Sequence, residues 1–404
     1  PVEGGPLPGY PDVPYAQSCS MDRCMARAKE MMDWDSKYPC RDMGNGKVRG
    51  VGVAMAMQGS SIAGVDVGGA DIKLNEDGSY TLALGCTDMG TGCDTVMAQI
   101  AADCLNTPMD NIVVFSVDTD ISPYDSGSYA SATTYTTGVA VMKACEELKK
   151  KICKLGAEMM EVDEGKVDFD GSCVFYDETL EISDGADGNA AGHMTDAEEG
   201  YSVDMDAISS ENAQKKVSLE DIALKSTFFN NIELQVVKQH SSPISPPPFM
   251  VGMAEVEVDT ETGSVDVLDY VAVVDCGTPI NPNLARVQTE GGIAQGIGMA
   301  LWEDVQYTDK GKIRNNSFMQ YKIPTRQDIG NIRVDFECSY EKSGPFGAKS
   351  IGELVIDTPC PALAEAIYNA TGVRLTELPM TPEKIAMEIL KNRESIRSGT
   401  KVEE

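Results

Sequence analysis

The sequence predicts an α+β protein made of two α/β lobes, with mixed sheets and packed helices. Three observations carry that expectation. Runs with the two-residue period of half-buried strands alternate with runs of helical period on both sides of an acidic stretch at 157–222. Glycine-rich loops stand where strands pass into helices. At 404 residues, with 42% hydrophobic and 24% charged side chains, the chain suits two or three domains with ample core and has a globular rather than a disordered balance.

In chain order, a Pro/Gly-rich leader precedes a helix from Met21 to Asp33, and together they form an expected leader segment, 1–45. The first lobe, 46–156, opens with strand patterns at 51–55 and 71–74 and a turn at 76–79. Tyr80 to Leu84 then runs into Gly85-Cys-Thr-Asp-Met-Gly-Thr-Gly92. The helix after it carries Val96, Ile100, Ala101, Cys104 and Leu105 on one face, with Asp94 as its expected N-cap. A strand from Ile112 to Val117 leads through a small-residue loop, 125–137, into a helix from Gly138 to about Gly156.

Residues 157–245 read as an acidic insertion and linker. Asp187 to Glu198 has part of an EF-hand spacing, but Ala191 replaces an oxygen ligand and the flanks are not helical, so a solvated insertion is expected. Ser218 caps a short helix, and Pro243 to Pro248 reads as an extended linker. The second lobe, 246–395, begins with strands at 253–258 and 265–274 joined by a hairpin at 259–263. Its helix from about Leu284 to Trp302 holds Gly291, Gly292, Gly296 and Gly298. Each costs ~1 kcal/mol there, which predicts close packing against another backbone or a ligand. Helices at 361–370 and 382–391 follow, and 396–404 is a polar tail.

Acidic side chains outnumber basic ones 64 to 33, a formal charge of −31, which argues against nucleic acid and anionic membranes as partners. No uncharged apolar run is long enough to span a bilayer and no signal peptide opens the chain; Pro1 in place of Met predicts a processed or truncated start. The 12 cysteines include no Cys-x-x-Cys, so an iron–sulfur cluster held by this chain is not expected. With only His193 and His240, neither is a Cys/His zinc site. Scattered thiols suit a reducing cytoplasm, with most cysteines acting as small buried hydrophobes.

Three loops are candidates for chemistry. Gly90-Thr91-Gly92 opens a helix, where backbone N–H groups can bind phosphate oxygens. Ser126 to Thr134 is rich in hydroxyls without bulk and suits an anion or a pterin. In Gly344 to Leu354, Glu353 precedes three apolar residues; if desolvated, such a carboxylate becomes a useful general base near neutral pH. Gln288 is a candidate ligand contact on the helix after Asn281-Pro282.

Taken together, eight segments in one order resemble the molybdenum-binding subunit of the xanthine dehydrogenase family, the molybdenum hydroxylases. They are Arg49–Ala54, Asp88-Met-Gly-Thr-Gly92, Gln99–Ala102, Gly127-Ser-Tyr-Ala-Ser131, Asp275–Pro282, Gln288–Gly298, Tyr321–Thr325 and Gly347–Glu353. The resemblance implies the family's molybdopterin-binding fold, with Glu353 as the base that deprotonates the metal's hydroxyl so that oxygen reaches an electron-poor carbon. It implies that Gln288 contacts the molybdopterin and that Gly127, Ser128, Ala130 and Ser131 hold its pterin and phosphate. Gly90, Thr91, Gly92, Lys349 and Ser350 are further implied cofactor contacts. Molybdenum is implied to be held through the pterin dithiolene, with no direct protein ligand.

Two departures from the family pattern matter. Thr91 stands where many members have Gln, and no aromatic purine clamp aligns near Ser60. The resemblance also begins near the end of the family's first molybdopterin-binding half. A separate polypeptide is therefore expected to supply that half, as in nicotinate dehydrogenase-like enzymes, alongside iron–sulfur (2Fe-2S) and FAD subunits. The implied function is hydroxylation of a small N-heterocycle, purine or nicotinate in type, with the cofactor in its cytosine dinucleotide form. The alternatives are an aldehyde oxidoreductase, an aromatic CoA-ester reductase, or a non-catalytic cofactor-binding scaffold, against which the retained Glu353 argues.

Overall fold

The computed structural model describes residues 16–179, 215–229 and 232–398. Helix α1 (Met21–Met32) and the single turn α2 (Trp34–Lys37) lead into strands β1 (Cys40–Gly44) and β2 (Lys47–Met57). Next come β3 (Gly68–Leu74), β4 (Tyr80–Leu84), α3 (Cys93–Leu105), β5 (Ile112–Ser116) and α4 (Gly138–Met160). Short strands β6 (Val167–Phe169), β7 (Cys173–Tyr176) and β8 (Lys216–Ser218) precede α5 (Leu219–Leu224) and β9 (Gln235–His240). The remainder is β10 (Phe249–Asp259), β11 (Val265–Asp275), α6 (Pro282–Leu301), β12 (Asn331–Phe336), α7 (Pro359–Thr371) and α8 (Pro382–Ser398). No helix among the described residues is long and apolar enough to cross a membrane.

One lobe is built on a four-stranded sheet in the order β5-β4-β3-β9, antiparallel except where β4 meets β5. Alternation along β4 turns Tyr80, Leu82 and Leu84 inward, where they meet Ile100 and Leu105 of α3 and Leu148 of α4 in one core. Fully burying each such aliphatic side chain is worth roughly 1.5–3 kcal/mol.

The other lobe centres on a five-stranded sheet in the order β1-β2-β10-β11-β12, with β11 and β12 parallel. Both faces are covered, which explains why β10 and β11 read as near-continuous apolar runs. Cys24, Ala28 and Met32, spaced by four along α1, pack on Val251, Met253, Val271 and Val273. The opposite face, with Met250, Ala254 and Ala272, packs on Ile293 and Ile297 of α6 and Ala362 and Ala366 of α7. Gly50 and Gly52 on β2 permit that approach: a Cβ on either would collide with the carbonyl oxygens of Ala366 and Ala362.

The expected partition is redrawn. Neither the leader, described from residue 16, nor 46–156 is separate from the second lobe, because α1 packs on its sheet and β1 and β2 belong to it; Met57 pairs with Phe249. Nor is 157–245 an insertion as far as it is described. Val167, Phe169, Val174, Leu219, Ile222 and Val236 all join the first lobe's core, and β9 completes its sheet beside β3. Pro246, Pro247 and Pro248 are buried, so the connection into β10 is a packed segment rather than a free linker. The EF-hand-like stretch at 187–198 lies outside the described residues. Helix α8 runs to Ser398, past the expected start of the polar tail.

Local expectations fare unevenly. Ser218 caps α5 as expected, its hydroxyl accepting from the Asp221 N–H at 3.1 Å. Gly92, not Asp94, is the N-cap of α3. Six of the 12 cysteines are buried, Cys40 and Cys338 are exposed, and no disulfide joins any of them among the described residues.

Candidate active site

Four loops meet at a cavity of about 450 Å³ that both lobes line. Each loop leaves a strand or enters a helix: 85–92 between β4 and α3, 125–137 ahead of α4, 275–281 between β11 and α6, and 344–353 ahead of α7. Of the expected site residues, Thr91, Ser128, Ser131, Gln288, Lys349, Ser350 and Glu353 line this one cavity. Gly90, Gly92, Gly127 and Ala130 shape the loops without lining it.

The first loop is organised around Asp88. Its Oδ1 accepts from the N–H groups of Gly90 at 2.9 Å and Gly92 at 3.1 Å, and its Oδ2 from Asp94 at 3.4 Å. Burial acts to raise this carboxyl, but the backbone N–H groups together outweigh it and hold it below the ordinary carboxylate range. The expected phosphate-binding amides of Gly90 and Gly92 are therefore already spent on an internal carboxylate. Asp94, whose Oδ2 accepts from Ser116 Oγ at 3.1 Å, adds a second negative charge at the same helix end. Asp88, Cys93 and Asp94 lie within 4.8 Å of one another. Since backbone groups saturate Asp88, nothing there points to a metal.

The second loop is bent sharply. Gly127 has φ +121°, and the consecutive non-glycine residues Ala130 and Ser131 have φ +49° and +54°. Each left-handed non-glycine residue costs about 1–3 kcal/mol and persists only where the surroundings over-determine it. Here Asp125 accepts from the Gly127 N–H at 2.9 Å, and Ala130 C=O accepts from the Ser61 N–H at 3.0 Å. Ser128 Oγ is engaged with the backbone of Thr87. Thr133 and Thr134 also line the cavity, and their hydroxyls make no hydrogen bond among the described residues.

The third loop starts α6. Asn281 Oδ1 accepts from the Leu284 N–H at 3.0 Å as N-cap, and its Nδ2 donates to Gln99 Oε1 at 3.1 Å, tying α6 to α3 across the two lobes. Gln288, two turns along, presents an uncommitted amide to the cavity. Gly292, Gly296 and Gly298 are closely packed, but chiefly against the side chains of Val355, Pro359 and Glu303 rather than another backbone, whereas Gly291 faces open space.

The fourth loop divides its polar side chains between the interior and the cavity. Lys349 is a correction: its ammonium is turned into the protein, 3.0 Å from Asp275, and both side chains are fully buried. Asp275 also accepts from Ser20 N–H, Gly277 N–H and Ser339 Oγ, while Lys349 donates to Ser339 Oγ at 3.1 Å. The Lys349 charge is therefore unavailable to a cofactor. The Ser350 hydroxyl is likewise engaged, with Ser60 Oγ at 3.1 Å and Gly59 C=O at 3.4 Å.

Glu353 is exposed at the cavity wall rather than desolvated among Leu354 and Val355, which are buried beneath it. Its Oε2 accepts from Gln58 Nε2 at 2.6 Å and Ser131 Oγ at 3.0 Å. Gln58 escaped sequence reading because it lies beyond the last core-facing residue of β2, where neither periodicity nor spacing marks it. Thr278 and Asn281 were visible only as part of the Asp275–Pro282 segment.

Apart from Glu353, the free polar lining is neutral, with the hydroxyls of Thr91, Thr133, Thr134 and Thr278 and the amide of Gln288. Met89, Val96, Ile280 and Leu284 provide an apolar side. That donor and acceptor set fits the lactam and ring N–H edges of a pterin. Hydroxyl donors suit a phosphate without a paired cation.

A family model for the molybdopterin cofactor-binding domain matches residues 27–330. A probable hypoxanthine oxidase of Escherichia coli (strain K12) is 33% identical over 380 residues, covering 92% of this chain and 35% of that protein. A putative xanthine dehydrogenase molybdenum-binding subunit of the same strain is 28% identical over 375 residues, covering 91% and 46%. Quinoline 2-oxidoreductase from Pseudomonas putida 86 shares the fold, with a TM-score of 0.79 at 22% identity over 93% of this chain and 46% of that one. The chain spans about a third to a half of the length of the curated relatives it matches.

Proposed function

The chain belongs to the molybdopterin cofactor-binding domain family, and from that premise we propose that it is the molybdopterin-binding part of a multi-chain molybdenum hydroxylase. Its reaction is hydroxylation of an electron-poor carbon of an N-heterocycle, purine or nicotinate in type, with oxygen from water. The names of two relatives support the substrate class, since hypoxanthine and xanthine are N-heterocycles. The observation that carries the reading is Glu353, an exposed carboxylate oriented by neutral donors on the wall of a cavity otherwise free of available charge.

When bound, the cofactor supplies two-electron redox chemistry. The chain's own part is to hold it and to move a proton. Gln288, Thr133, Thr134 and Thr278 would meet the pterin's polar edges and phosphate, and the 127–131 loop would lie along it. Met89, Val96, Ile280 and Leu284 exclude water from one side. Glu353 takes the proton released as the new carbon–oxygen bond forms. The cofactor is expected in its cytosine dinucleotide form. A polypeptide carrying the other half of the molybdopterin-binding region, with 2Fe-2S and FAD subunits, would complete the enzyme. Support comes from the relatives' greater length and from the name of one as a subunit.

Glu353→Gln in the assembled complex should lower turnover by about 10²–10⁴-fold while molybdenum content stays unchanged. Assay of hydroxylation in H₂¹⁸O together with metal analysis checks this, and full activity in the variant refutes the reading.

A further inference from the structure

Glu353 is held at one oxygen only. Oε2 takes both side-chain donors, Gln58 Nε2 at 2.6 Å and Ser131 Oγ at 3.0 Å, and Oε1 has no hydrogen-bond partner among the described residues. Ser131 Oγ grips the same residue twice, because it also accepts from the Glu353 backbone N–H at 2.9 Å. The donors come from two loops distant in sequence, and both loops are fastened independently of Glu353. Ser60 binds Ser350 through hydroxyl and N–H, while the Ser61 N–H donates to the Ala130 carbonyl.

The backbone geometry adds a second, separate observation. Ala130 and Ser131 are both left-handed, a conformation with a real cost for L residues. That strained pair ends at the one hydroxyl in the loop that reaches Glu353. Both donors are neutral side chains, an amide and a hydroxyl.

We propose that Gln58 and Ser131 are positioning residues for Glu353, holding Oε2 so that Oε1 is the oxygen that accepts the proton. This rests on the reading of Glu353 as general base, and it moves Ser131 from cofactor contact to support of the base. An unheld glutamate samples several rotamers. A misplacement on the ångström scale at a reacting group costs up to about 100-fold in rate.

The test uses the assembled holoenzyme with Ser131→Ala, Gln58→Leu and Glu353→Gln. The expected result is a fall in kcat of about 10–100-fold in each of the first two, with KM and molybdenum content unchanged. Crystal structures of those variants should show the Glu353 carboxylate in more than one position on an unmoved 344–353 backbone. If both keep kcat within about twofold of the parent while Glu353→Gln is inactive, the positioning role is overturned and the general-base reading stands. Loss of molybdenum from Ser131→Ala returns Ser131 to the cofactor and overturns its role here. A fully active Glu353→Gln overturns the general-base reading and this inference with it.

Discussion

Lys349 and Glu353 stand on one loop, and the protein treats their charges in opposite ways. The Lys349 ammonium is sealed inside with Asp275, which collects further donors from the residue preceding α1, from the end of β11 and from Ser339. Glu353 is left at the cavity with two neutral donors and one oxygen uncommitted. A charge that fixes a loop is best buried and saturated, because removing its partner is then costly. A charge that must change protonation state is best kept where gaining or losing a proton strands no partner. The two lie four positions apart along one loop, so the buried pair anchors the segment that carries the exposed carboxylate.

Breaking the buried side of this comparison should have the largest effect on folding. Lys349→Met leaves Asp275 without its cation and should destabilise the chain by about 3–5 kcal/mol, with much of the loss recovered in the double variant Lys349→Met/Asp275→Asn. Urea denaturation of the single and double variants checks the coupling; equal losses in both would dissolve the distinction between the two charges.

The brace beyond Glu353 comes next. A Cβ at Gly292 would collide with Val355, so Gly292→Ala should cost about 1–3 kcal/mol. At its neighbour Gly291 a Cβ would meet nothing within 4 Å, so Gly291→Ala should instead gain up to about 1 kcal/mol from helix propensity. Opposite signs at adjacent helix positions, read from Tm, would locate the rigidity of the loop in that contact.

The smallest effect concerns the exposed side. Burial raises the Asp357 carboxyl above its ordinary value, and the Glu353 charge adds to the shift. A carboxyl raised in the folded state contributes stability that is complete below its unfolded value and lost as pH climbs through the folded value. At neutral pH, then, the Glu353 charge weighs against that of Asp357. Glu353→Gln should raise stability by less than about 1 kcal/mol at pH 7, the gain closing as pH falls through the carboxylate range. Thermal unfolding across pH 3–7 measures it, and a loss of stability at pH 7 would contradict the view of Glu353 as a group kept for chemistry.

Local features of the fold were legible in the sequence and non-local ones were not. The period-two run of Tyr80, Leu82 and Leu84 and the four-residue spacing of α1's buried face declare themselves without partners. The membership of β2 in the second lobe's sheet depends on β10, far along the chain, and no local signal marks it. Strands β6, β7 and β8 are only three or four residues long, too short for alternation to outweigh the acidic surroundings. At the site, the motifs single out Glu353 and Gln288, and both line the cavity. The buried pairing of Lys349 carries no local mark because its partner Asp275 lies in another segment, and a motif records that a residue belongs to a loop but not which way its side chain turns.

The pairing of Met57 with Phe249 orders events in time as well as in space. A ribosome delivers every strand of the four-stranded sheet before β10 emerges, so that lobe can be complete while β2, paired with β1, still awaits β10. The two crossings between lobes lie side by side, with the Gly64 N–H donating to the Ser242 carbonyl at 2.7 Å. Whatever replaced the segment between those two residues would need to join the host at only one place.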